Sequence, residues 1–133
     1  MTPNPQTWRD IVANAQLAIS ELDEAEHAVA REMRRLENAA AARDTVMTPS
    51  EKAKWLTLSN LQKTIARKKA QVADAAAMAL DAHPDVARMR DRFRAVNADL
   101  DDVKAKLESL AMTLDRVAKA VEIVGDILAQ LPV

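Results

Sequence analysis

Glu24 and His27 stand three residues apart in EAEH, residues 24–27. That is the spacing with which helical bundles hold paired iron or manganese ions. Both side chains leave one face of a helix, so a carboxylate oxygen and an imidazole nitrogen could share a metal. A complete centre needs a second Glu-x-x-His and two further glutamates. The second histidine is His83, and three positions before it stands Leu80, so half of the ligand set is missing. His27 is therefore expected on an exposed helix face and His83, ahead of Pro84, in a turn or cap. No metal ligand and no cofactor is assigned.

Other groups with chemical potential have equally ordinary readings. Asp101 with Asp102, and Glu122 with Asp126, bring carboxylates together as acid–base chemistry requires. Both pairs fall on polar helix faces, where solvation is the expected state. Glu26 interrupts an apolar series and could be a buried acid, but a polar layer that sets helix register is the simpler role. Ser/His/Asp sets, glycine-rich phosphate loops and H-E-x-x-H zinc motifs are missing from the chain. With no cysteine there is no disulfide, thiolate ligand or cysteine nucleophile. No catalytic residue is assigned, and the chain is not expected to be an enzyme.

RMRDRFR supplies Arg88, Arg90, Arg92 and Arg94, with Lys68 and Lys69 expected nearby. These six form a candidate basic patch. At 100° per residue the arginines divide into two pairs on separate faces, whereas reading DNA favours one shared face. Arginines flanking an apolar seam and covering it with their stems explain the pattern better. Nucleic-acid binding through Arg88–Arg94 is carried as an alternative function.

The elements that must position these residues are all helical. The 133 residues include 27 alanines, one glycine and three aromatics, a composition that favours helix and lacks the turn glycines of a sheet protein. A length of this order suits one domain, taken as 1–133. The first helix is expected over about 5–44, capped by Asn4 with Pro5 at its first position. Thr48-Pro49-Ser50-Glu51 is a capping box that starts a second helix over about 49–82. Pro84 disfavours helical geometry at His83 and is readable as a hairpin turn or as a kink. From there Val86, Met89, Phe93, Val96, Leu100, Val103, Leu107 and Leu110 begin a seam that keeps three–four spacing to Leu131. This predicts one long third helix over 84–131 in an elongated antiparallel three-helix bundle, coiled-coil-like in its periodicity.

Charge supports the first hairpin. Residues 1–47 carry −3 and residues 48–83 carry +3. A fold at 46/47 sets Glu26 against Arg67 or Lys69. Helix lengths then suggest an overshoot: at 1.5 Å per residue the third helix, about 70 Å long, outruns the second, about 50 Å. The overshoot falls on VAKAVEIVGDILAQL, residues 117–131. After residue 111 the flanks of the seam change from charged to small or apolar, as in a helix buried on more than one side. The expected partner or oligomer interface is therefore Ala111, Leu114, Val117, Ala118, Val121, Val124, Gly125, Leu128 and Leu131, with Gly125 as a point of close approach by another helix. An internal core against the first helix is the competing reading of the same residues.

These features point to a non-catalytic helical protein-interaction module of the adaptor, chaperone or toxin-neutralising kind. It would form a homo-oligomer or bind a protein partner through the C-terminal helix. The alanine and arginine usage suggests a bacterial or phage source. A net charge of −1 gives no global attraction to nucleic acid or anionic membrane. The longest apolar run, AAAMAL at 75–80, is far short of the roughly 20 residues of a membrane span. The first ten residues lack a signal-peptide pattern. A cytoplasmic location is expected. A membrane-active amphipathic protein is a further alternative, opposed by Glu122 and Asp126 beside Lys119 on the polar stripe.

Overall fold

In a computed structural model the described residues are 5–81, 83–98 and 100–131, and their regular elements are all helices. Helix α1 spans Pro5–Ala42 and α2 spans Pro49–Met78. Asn4, the expected cap of α1, lies outside the described residues. Helices α3 (Val86–Ala98) and α4 (Leu100–Lys106) follow on either side of residue 99. A 3₁₀ turn, Glu108–Leu110, leads into α5, Ala111–Ala129.

The first hairpin has the expected register. Lys69 Nζ lies 2.9 Å from Glu26 Oε2 and 3.0 Å from Asp23 Oδ1, so the interrupting acid meets one of its two expected partners. The buried seam of α2 runs through Lys68. Lys68 sits between Ile65 and Val72, is 3% exposed, and donates from Nζ to the Ala95 carbonyl at 2.7 Å. Pro84 lies in a turn: Arg92 pairs with Asp74, and α3 runs back along α2.

The third helix differs from the sequence expectation. A single helix over 84–131 is not formed, because Leu107 leaves helical geometry at φ −147°, ψ 92° and the chain reverses. Arg90 donates to the Leu128 carbonyl, Asn97 Nδ2 to the Ala118 carbonyl at 3.3 Å, and Lys104 Nζ to Asp115 at 2.9 Å. These pairs centre on residue 109, so α3–α4 and α5 are the antiparallel arms of a second hairpin. The bundle therefore has four arms, not three. The apolar spacing runs through the turn unchanged (Val103, Leu107, Leu110, Leu114), and no glycine or proline marks it. Reversal buries the two halves of the seam together, at about 25 cal/mol per Å² of apolar surface removed from water. A straight arm would leave the second half in solvent.

Helix α1 packs against α2 on one side and α5 on the other, and α3 closes the bundle between α2 and α5. One core cluster takes residues from every arm, including Ile11 and Leu22 of α1, Ile65 of α2, Phe93 of α3, and Leu114 and Leu128 of α5. Arg90 closes the end of α5, donating also to the Leu131 carbonyl at 2.9 Å. It thereby satisfies carbonyls that the helix itself leaves without partners.

Candidate functional site

The longest helices are α1 and α2. Lys106 and Leu107, at the second turn, approach Leu36 of α1 and Leu58 of α2. They share that cleft with Ser50, Ala53 and Lys54 as well, and past it the first hairpin ends in the link between α1 and α2.

The sequence builds this end firmly. Asp44 adopts φ 55°, the Thr45 amide donates to the Ala40 carbonyl at 3.2 Å, and the Asp44 amide donates to Ala41 at 3.0 Å. This pair of bonds is a Schellman stop, with aspartate at the left-handed position that glycine usually takes. Helix α2 then starts with the expected capping box. The Glu51 amide donates to Thr48 Oγ1 at 3.2 Å, and the Thr48 amide donates to Glu51 Oε1 at 2.9 Å. The Arg43 guanidinium spans the turn to grip both oxygens of Glu51. Arg43 and the Thr48 amide together lower the Glu51 carboxyl to a pKa of about 2.

Between the two helix ends lies an open hollow of about 750 Å³. Ala40, Ala41, Val46, Met47, Trp55 and Leu56 supply its apolar lining, with Glu37 and Lys52 at its edge. Val46 is 86% exposed and Leu56 50%. Trp55 is half-buried, and its indole Nε1 donates to Glu37 Oε1 at 3.0 Å, which fixes the ring over the seam. Trp55, Gln62 and Lys69 are spaced by seven, so the hollow shares the side of the hairpin that carries the Lys69 ion pairs. There, the Glu26 and Asp23 carboxylates raise the Lys69 pKa, and Lys69 lowers that of Asp23. Sequence reasoning missed the hollow. Its signal was two apolar residues, Val46 and Met47, inside the inter-helix link, and Leu56 lying off the seam beside Trp55.

The residues singled out from sequence fall elsewhere. Of the nine C-terminal candidates, Leu114, Val117, Val121, Val124 and Leu128 are buried in the chain's own core. Ala111, Ala118, Gly125 and Leu131 are half-buried. No atom outside α5's own backbone lies within 4 Å of a Cβ placed on Gly125, so no neighbouring helix of this chain approaches it closely. It opens instead onto a groove between α3 and α5, beside Arg94 and Asp126.

Four of the six candidate basic residues make polar contacts within the chain. Lys68, Lys69, Arg90 and Arg92 contact Ala95, Glu26 and Asp23, the end of α5, and Asp74. Arg88 and Arg94 are exposed. His27 is exposed and its Nδ1 lies 2.8 Å from the Asp23 carbonyl of its own helix, away from any ligand set with Glu24. His83 lies in the turn before α3. Among the described residues no group of three or more His, Asp and Glu is placed to hold a metal ion. Among them, too, no helix is long and apolar enough to cross a membrane.

At the level of whole chains there is no further guide: no family model matches this sequence, and neither a curated protein nor a solved structure matches it.

Proposed function

We propose that this chain is a non-catalytic helical protein-interaction module that meets a protein partner through the α1–α2 end. The observation that carries the reading is the hollow at Trp55, whose walls include Val46 and Leu56 in open contact with water. Exposed apolar surface gathered in one concavity is what binding surfaces have and what isolated surface residues lack. The firm stop and start on either side, with Arg43 across them, hold that concavity in shape before anything binds, which lowers the ordering cost of association. The C-terminal arm is the weaker site, because its seam residues Leu114, Val117, Val121, Val124 and Leu128 are already buried, which leaves Met112 and Ile123 as its exposed large apolar side chains.

A photo-crosslinking residue placed at position 56 in cells tests this directly, with position 123 on α5 as the comparison. Both positions are exposed. Protein adducts at 56 and few at 123 support the reading. Adducts at 123 alone move the interface to the C-terminal arm.

A further inference from the structure

The charge around the hollow says what kind of partner fits it. Residues 27–64, which form the α1–α2 end and its approach, carry seven basic and four acidic side chains, or +3. The whole chain carries −1, so the remainder carries −4. Two acids of this end are engaged in ion pairs within it. Glu51 is held by Arg43 and Glu32 pairs with Arg35 at 2.8 Å, whereas Glu37 accepts only from the neutral Trp55 indole and keeps its charge at the edge of the hollow. The exposed cations Arg31, Arg34, Lys52, Lys54 and Lys63 then face solvent against the exposed acids Glu37 and Asp44, which leaves an excess of three positive charges.

One of these cations borders the hollow, and two more follow it along the helices. Lys52 lies at its edge, one turn from Leu56. Arg34 stands seven residues before Ala41, and Lys63 seven after Leu56, so both continue the faces that line it. An apolar concavity between two helices, with cations along its approach, matches an amphipathic helix that carries carboxylates beside its apolar stripe. Nucleic acid fits less well. Phosphates would meet the cations, but they would leave Val46, Met47 and Leu56 without an apolar partner.

We infer that the α1–α2 end docks an acidic amphipathic helix of a partner protein, its apolar side chains in the Trp55–Leu56 hollow and its carboxylates against Arg34, Lys52 and Lys63. This rests on the interaction reading above and names the chemistry of the partner at the same site. Exposed ion pairs are individually weak, but three together are worth about tenfold in affinity. They also set which partner is accepted, since wrong-sign charges repel.

The test uses the full chain and fluorescein-labelled synthetic peptides of about 18 residues, long enough to form a helix. They share one leucine stripe and carry Glu, Gln or Lys on its flanks. The expected result by fluorescence anisotropy is binding of the Glu peptide about tenfold tighter than the Gln peptide, with the difference shrinking as salt rises. The Lys peptide should bind weakest. Leu56→Ser should weaken every peptide. An Arg34→Glu, Lys52→Glu, Lys63→Glu variant, checked for helix content by circular dichroism, should reverse the order. Equal binding of Glu and Lys peptides, or an order unchanged in the charge-reversed variant, overturns the proposal. So does tighter binding of a single-stranded oligonucleotide than of the Glu peptide, or a dimer in light scattering that Leu56→Ser dissolves. If no peptide binds while crosslinking at 56 still yields protein adducts, the partner chemistry is wrong and the interaction surface stands.

Discussion

Leu128 is the residue at which core and interface make opposite forecasts. Its side chain is fully buried in α5, and its carbonyl receives Arg90. Leu128→Ala keeps that backbone contact and removes only packing. Deleting a fully buried leucine costs about 2.7–5 kcal/mol, because the lost transfer energy is joined by the cavity left behind. Total stability of a domain this size is of the order of 5–15 kcal/mol. At roughly 2.1 cal/mol/K of unfolding entropy per residue, a loss of about 3–4 kcal/mol lowers the melting temperature by about 10–15 °C. Leu56→Ala, at a half-exposed position on the hollow, is expected to cost less than about 1 kcal/mol. Thermal and urea unfolding followed by circular dichroism, at several protein concentrations, separates the two. If Leu128→Ala left the midpoint unchanged but dissolved an oligomer, the assignment of α5 to the chain's own core would be refuted.

Other perturbations check particular elements. Gly125→Ala should stabilise by about 1 kcal/mol, since alanine is the better helix former and its Cβ meets nothing within 4 Å; destabilisation in urea unfolding would show that something packs there. Asp44→Gly should gain about 0.5–1 kcal/mol by relieving a left-handed φ of 55° in the Schellman turn, read as a rise of a few degrees in melting temperature. Glu51 should titrate with a midpoint near 2 by carboxyl-detected NMR, against 4.5 for the ordinary group. Its folded pKa is lowered, so its contribution to folding is present above about 4.5 and fades as pH falls toward about 2. Arg43→Ala should move that midpoint upward, and an unmoved midpoint would remove Arg43 as its principal cause.

The legible parts of the fold were those written in local chemistry. Thr48, Pro49 and Glu51 declare the start of α2 through hydrogen bonds within one turn. Opposite charge on 1–47 and 48–83 sets the first hairpin closely enough to bring Lys69 to Glu26. The second reversal was illegible because Leu107 and Leu110 satisfy a continuing seam and a turning one equally well. Its trace was the change of flanking residues after 111, which marks the first residue of α5. That change reflects burial against both α1 and α3. The argument from length rested on an unbroken third helix, which the reversal at Leu107 removes. The hollow was hidden for a related reason, since Val46, Met47 and Leu56 belong to no periodic stripe and meet only through the Schellman turn.

A distance across the second hairpin bears most directly on all of this, because the fold-back is what buries the C-terminal seam in the chain's own core. The chain has no cysteine, so Asp91→Cys and Asp126→Cys, at two exposed positions, take spin labels without competition. Neighbouring helix axes lie about 8–10 Å apart, which with the label arms gives a pulsed-EPR distance of about 15–25 Å within one molecule. A single straight helix would separate the same positions by about 52 Å. The short distance, kept on dilution with unlabelled protein, is what the four-arm bundle predicts; a peak near the long one would contradict it.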